Sequence, residues 1–142
     1  MFFGIFVEKY YYSDMGLRNA FLNFRQYEET HIMENVIYNE LIYRGCNVDV
    51  GVVGVRSGDG GRKQLEVDFV ANQGSRRYYI QSAFALQDKE KMDQEQASLI
   101  KISDSFKKII VVNSNTPVWR NDRGILVMSL YDFLLNEDSL DM

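Results

Sequence analysis

Two stretches of this sequence are apolar with no alternation. Lys108-Ile109-Ile110-Val111-Val112-Asn113 and Gly124-Ile125-Leu126-Val127-Met128-Ser129-Leu130 are too short for an ordinary helix, and the first is rich in β-branched residues. A strand that offers no polar face has both faces covered, as in a parallel sheet with helices on either side. A chain with two such strands has to supply helices for both sides. The fold class expected is α/β, a mixed sheet flanked by helices.

Periodicity supplies those helices. Residues 30–44 set Met33, Val36, Ile37 and Leu41 on one stripe with Tyr38 beside them; Thr30 can cap the start and Gly45 can end it. Residues 88–103 are amphipathic, with Met92, Gln96, Leu99 and Ile100 on one side. A short helix is expected over 15–24, capped by Ser13 or Asp14, and a closing one over 131–135. Between the two long helices lie three strand-like runs, 47–55, 64–71 and 77–85. Ser57-Gly58-Asp59-Gly60-Gly61 separates the first two and Asn72-Gln73-Gly74-Ser75 the last two, both read as hairpin loops. The order is helix, three-strand meander, helix, strand, strand, helix.

Composition narrows the class. At 142 residues the chain fits one domain, and 46% hydrophobic residues suffice for a core. The apolar start, Met1-Phe2-Phe3-Gly4-Ile5-Phe6-Val7, falls far below the ~18 residues a membrane helix needs and has no basic leader, so neither membrane span nor signal peptide is expected. A short strand or a clipped boundary fits it better. The lone Cys46 cannot form an internal disulfide and suits a reducing cytoplasm. A net charge of -4 argues against strong unaided nucleic-acid binding, because phosphate contacts need a basic surplus, but it leaves room for a local basic patch.

In Gln64-Leu65-Glu66-Val67-Asp68-Phe69-Val70 strict alternation puts Leu65, Val67 and Phe69 on one face and Gln64, Glu66 and Asp68 on the other. In the following strand Tyr79, Gln81 and Ala83 share a face, opposite Tyr78, Ile80, Ser82 and Phe84. If the strands pair as a hairpin, Asp68 and Gln81 lie side by side, and Glu34, one turn into its helix, can meet them. The helix itself is expected on the face opposite the solvated row.

With that cluster, the αβββαβ order resembles the restriction-endonuclease-like fold of the PD-(D/E)XK nuclease-like superfamily. More narrowly, the chain resembles the C-terminal domain of unknown function that follows the ATPase in AAA-type (archaeal-type) ATP-binding proteins. The resemblance rests on Lys9-Tyr10-Tyr11-Tyr12-Ser13-Asp14-Met15-Gly16-Leu17-Arg18-Asn19, on His31-Ile32-Met33-Glu34-Asn35-Val36-Ile37-Tyr38-Asn39-Glu40-Leu41, on Glu66-Val67-Asp68-Phe69-Val70 and on Tyr79-Ile80-Gln81. It implies an N-terminal strand and helix segment, 1–29, packed on a nuclease-like domain of 30–142, and an ATPase region upstream of this chain. It also implies a vestigial catalytic and metal site of Glu34, Asp68 and Gln81. Active relatives bind Mg²⁺ through a helix Glu, a strand Asp and a (D/E)-x-K triplet whose lysine helps position the attacking water. Here the triplet reads Gln81-Ser82-Ala83, so a charge and the ammonium group are both missing. The implied function is a degenerate module, without catalysis or a cofactor, that binds a protein or nucleic-acid partner. The alternatives are an active Mg²⁺-dependent DNA endonuclease with Lys89 or Lys91 as a relocated lysine, and a purely structural self-association domain. A homodimer through Phe2, Phe3, Phe6, Tyr10 and Tyr12 is expected.

Each residue also has a plainer reading. Glu34 in a first helical turn is favoured by the helix dipole; Glu66 and Asp68 form the solvated face of a half-buried strand; Gln81 is a hydrogen-bonded core edge. His31 is a surface residue at a helix start, and Cys46 an inert buried thiol. Tyr10-Tyr11-Tyr12 pack rather than stack on bases. The glycines at 58–61 form a hairpin tip, since the phosphate-loop spacing is absent. Arg62-Lys63 and Arg76-Arg77 stand at opposite ends of the second strand, roughly 26 Å apart at ~3.3 Å per residue, and make no common patch.

Overall fold

The computed structural model describes residues 2–7, 11 and 29–142. The helix expected over 15–24, its cap at Ser13 or Asp14, and Tyr10 and Tyr12 lie outside these residues. The elements in chain order are β1 (Phe2–Val7), α1 (Glu29–Tyr43), β2 (Asn47–Arg56), β3 (Arg62–Gln73), β4 (Arg76–Ala83), α2 (Lys89–Ile100), β5 (Lys107–Val112), β6 (Trp119–Arg120), β7 (Leu126–Ser129) and α3 (Leu130–Leu135), with a closing turn of 3₁₀ helix at Ser139–Asp141.

The strands form one mixed sheet in the order β1-β2-β3-β4-β5-β7-β6. β1 to β4 are antiparallel neighbours; β4 with β5 and β5 with β7 run parallel; β6 returns antiparallel on β7. A parallel step cannot be closed by a tight turn, and α2 provides the crossover from β4 to β5. The α/β class and the αβββαβ order expected from the sequence are both present. The two-residue β6 was not anticipated: Trp119 and Arg120 are exposed and too short to carry a periodic signal.

The continuous apolar runs are covered on both faces. Ile109 and Val111 of β5 and Leu126 and Met128 of β7 join Met33, Ile37 and Leu41 of α1 and Phe133 of α3 in one core. Ile110, Val112 and Val127 join Leu99 of α2 and Ile102 in the other. Each fully buried residue of this size contributes about 1.5–3 kcal/mol.

Alternation in β3 breaks at one point. Asp49 faces Val70 but Gly51 faces Val67, so Asp68 and Phe69 together oppose Val50 in a β-bulge. Val67 and Val70 consequently fall in the same core, beside α2, while Phe69 packs in the core beneath α1. Asp68 turns to the α1 side with Phe69 and Glu66. Two expectations are corrected here. Phe69 does not share a face with Val67, and α1 covers the face of Glu66 and Asp68 rather than the opposite one.

Helix α1 starts at Glu29, one residue before the expected cap, and stops at Gly45, whose φ of 87° is a left-handed conformation that favours glycine. The Gly45 N–H donates to Ile42 O and the Cys46 N–H to Leu41 O, satisfying two of the last carbonyls. Arg44 then ties this helix end to the chain's last elements. Its guanidinium donates to Glu40 Oε1 (2.9 Å), Ser139 Oγ (2.9 Å), Asn136 O (3.1 Å), Glu137 O (3.3 Å) and Phe133 O, and lies 4.8 Å from the Phe133 ring centroid.

Two outcomes follow for stability. Arg44→Met removes the guanidinium's hydrogen bonds between the end of α1 and the segment after α3 and is expected to cost about 2 kcal/mol in urea unfolding, with Arg44→Lys losing about half as much because an ammonium lacks the planar fork. Tyr78, buried and donating to Asp141 Oδ1 (2.6 Å), has its hydroxyl pushed up to about 12, first by burial and then by that carboxylate. A raised folded pKa stabilises fully below the unfolded value of 10.0 and is lost as pH climbs through about 12. Alkaline titration followed by tyrosinate absorbance should place the loss of structure in that window, and Tyr78→Phe should shift it upward.

Candidate functional site

The pairing of β3 with β4 runs from Gln73↔Arg76 to Phe69↔Ile80 and stops there. Asp68 and Gln81 are the next pair, and at this position side chains replace the ladder. The Asp68 N–H donates to Gln81 Oε1 (3.0 Å), and Asp68 Oδ2 accepts from the Ser82 N–H (2.8 Å). The bulge causes the change: the extra residue draws β3 away from β4, and the carboxylate and amide fill the gap.

β4 is regular against β5 from Tyr78 to Ala83. Tyr79 and Ala83 lie in the core beside α2, so alternation sends Gln81 to that side. Asp68 leaves β3 on the α1 side. The expectation that Asp68 and Gln81 share one surface is therefore corrected: they meet through the backbone at the seam, from opposite faces. Ala83 itself is buried.

On the α1 side a different group gathers. The Tyr11 ring stacks on Tyr38 of α1 (centroids 4.2 Å apart, planes 12° apart) and lies 5.9 Å from Phe69. Its hydroxyl is buried and has no hydrogen-bond partner among the described residues. Burial, and then the charges of Glu34, Asp68 and Glu66, hold that hydroxyl well above the usual tyrosine range. Three carboxylates thus converge on one neutral phenol. Glu34, Asp68 and the tyrosine cluster were singled out in the sequence, but not the gathering of Glu34, Asp68 and Glu66 around Tyr11. The packing reading of the tyrosine cluster holds for Tyr11.

Glu34 stands in the second turn of α1, beyond the reach of the helix-terminal dipole that the plainer reading invoked. It lies 4.0 Å from Nδ1 of His31, which is exposed as expected. Cys46 is buried, and burial pushes its thiol up, away from reactivity. No group of three or more His, Cys, Asp or Glu side chains among the described residues is placed to hold a metal ion. Octahedral Mg²⁺ needs convergent oxygen donors, and with Gln81 on the far face the set Glu34, Asp68 and Gln81 does not fit it. Of the two candidate relocated lysines, Lys91 is engaged with Glu95 (2.7 Å) and Lys89 is exposed at the start of α2.

No family model matches this chain, and no solved structure matches it. An uncharacterized protein of Haemophilus influenzae is 30% identical over 127 residues, which cover 89% of this chain and 28% of that protein. The chain spans less than a third of that relative's length. No helix among the described residues is long and apolar enough to cross a membrane.

The unpaired phenol gives a direct test of the cluster. Tyr11→Phe removes a buried hydroxyl with no partner and keeps the ring on Tyr38, so it is expected to stabilise the fold by about 1 kcal/mol in urea unfolding. A loss of stability would mean that the hydroxyl is engaged by one of the three carboxylates.

Proposed function

We propose that this chain is a degenerate nuclease-like module without catalytic activity, part of a longer AAA-type ATP-binding protein or descended from one, and that it serves to bind a partner in the cytoplasm. The observation that carries the reading is the β3–β4 seam. Asp68 Oδ2 and Gln81 Oε1, two of the three expected metal donors, hold backbone N–H groups in place, and the third triplet position is the buried Ala83. The αβββαβ order and the length of the Haemophilus influenzae relative support the same reading.

Against the alternative of an active Mg²⁺-dependent endonuclease, Lys91 is paired with Glu95 and Lys89 is exposed at the start of α2. Self-association has one observation in its favour. Among the described residues β1 is an edge strand with no strand neighbour on its outer side, and such an edge offers backbone groups to a second copy. A homodimer joined there is compatible with the module reading.

The deciding experiment is calorimetric titration with Mg²⁺ and Mn²⁺ beside a plasmid-nicking assay. Weak or no metal binding and no nicking are expected for the wild-type chain and for Asp68→Ala alike. Metal-dependent nicking that disappears in Asp68→Ala would overturn the non-catalytic reading and point to Lys89 or Lys91. Light scattering should report a dimer, and a monomer at high concentration would remove the β1 interface.

A further inference from the structure

The β2–β3 hairpin and the end of α2 enclose an open cavity of about 910 Å³. Among the described residues its lining includes Arg56, Arg62, Lys63 and Lys101 and no carboxylate. In a chain with 20 acidic against 16 basic residues, four cations around one space are a local inversion of charge. Arg56 and Arg62 are register partners on neighbouring strands, and like charges set directly opposite each other destabilise a sheet. Asp59, the carboxylate of the same hairpin, accepts from the Ser57 hydroxyl and the Gly61 N–H instead of pairing with either arginine. Among the described residues no carboxylate is paired with either arginine.

A second cavity, about 380 Å³, continues the pattern. Among the described residues Lys107, Lys108, Arg120 and Arg123 line it with the carboxylate Asp104; Lys107 and Arg120 also donate to Met142 O and Lys108 to Asp104 O, and the partly exposed ring of Phe106, with the Arg77 guanidinium 5.7 Å from its centroid, forms part of its wall. Lys101 of the first cavity and Asp104 of the second are three residues apart, so their Cα atoms are separated by no more than about 11 Å. A single nucleic-acid strand carries one charge per nucleotide, and a gap of that length is within reach of a few successive phosphates. A single small anion would need one of these cavities; a polyanion engages both. An aromatic ring beside a cationic groove is the combination that holds unpaired bases.

We propose that these two cavities form a binding surface for single-stranded nucleic acid, with Arg56, Arg62, Lys63 and Lys101 on successive backbone phosphates and Phe106 beneath a base. The inference narrows the partner in the reading above and rests on it only for a binding rather than a cleaving role. The residues are separate from the Asp68 seam, so each claim can fail alone.

The test is fluorescence anisotropy with a labelled single-stranded oligonucleotide at several salt concentrations, using the whole chain. Four phosphate contacts predict a log–log salt slope near −3, at ~0.7 per contact. Arg56→Gln with Arg62→Gln should weaken binding about tenfold or more and reduce the slope by about 1.4. Its thermal midpoint should be unchanged or higher, because the opposed charges are gone. Lys101→Gln, at the end of α2 and outside the hairpin, should weaken binding several-fold by an independent route. Asp68→Asn should leave binding intact, whatever the nicking assay reports. No binding at low salt, or wild-type affinity in both cationic variants, would overturn the proposal. Tighter binding of a duplex would overturn the single-strand assignment, and displacement of the strand by equimolar inorganic phosphate would reduce the surface to a lone anion site.

Discussion

A sheet whose central strands are buried on both faces has to be covered twice, and the other elements are arranged by that requirement. Tyr78 and Ile80 of β4 and Ile109 and Val111 of β5 point into one core, Tyr79, Ala83, Ile110 and Val112 into the other. One of these covers, α2, is also the connection that makes the parallel step from β4 to β5. The other, α1, comes before the meander in sequence and is anchored at its far end by Arg44. A change that loosened either helix would expose strands with no polar side to turn to water.

Within that frame the single extra residue of β3 decides what the candidate site is. Without the bulge Asp68 would share a face with Val70, beneath α2. With it, Asp68 faces α1, meets the field of Glu34 and Glu66 around Tyr11, and uses its remaining reach to hold the Ser82 N–H. The same displacement separates it from Gln81. A metal site needs its donors on one side of the sheet, and the local geometry divides them. The carboxylate supplies the acceptor that the seam needs, which is sufficient reason for an acidic residue in a half-buried strand.

The fold could be read from the sequence to a large extent, and for identifiable reasons. The non-alternating runs of β5 and β7, the apolar stripe Met33, Ile37 and Leu41, and the positive-φ stop at Gly45 are local signals, and each element lies within a few residues of where those signals put it. The site was less legible. A bulge leaves no mark in Glu66-Val67-Asp68-Phe69, which alternates as cleanly as any strand; the register shift exists only in the pairing with β2, a separate stretch of the chain. The stacking of Tyr11 on Tyr38 and the meeting of Arg56 with Lys101 likewise depend on where distant segments cross. The sequence-level argument set Arg62 and Lys63 against Arg76 and Arg77 along one strand. The structure gives them other neighbours, on the adjacent strand and the crossover helix.

Arg44 has a consequence for how the chain is made. Its acceptors at Phe133 and Ser139 lie 89 and 95 residues further on. At a synthesis rate of ~5–20 residues per second, α1 and its guanidinium leave the ribosome roughly 5–20 s before those acceptors exist. During that interval the end of α1 has to be held without its late partners, by the strands as they emerge. The nascent domain passes through a half-built stage in which the Arg44 guanidinium lacks those acceptors.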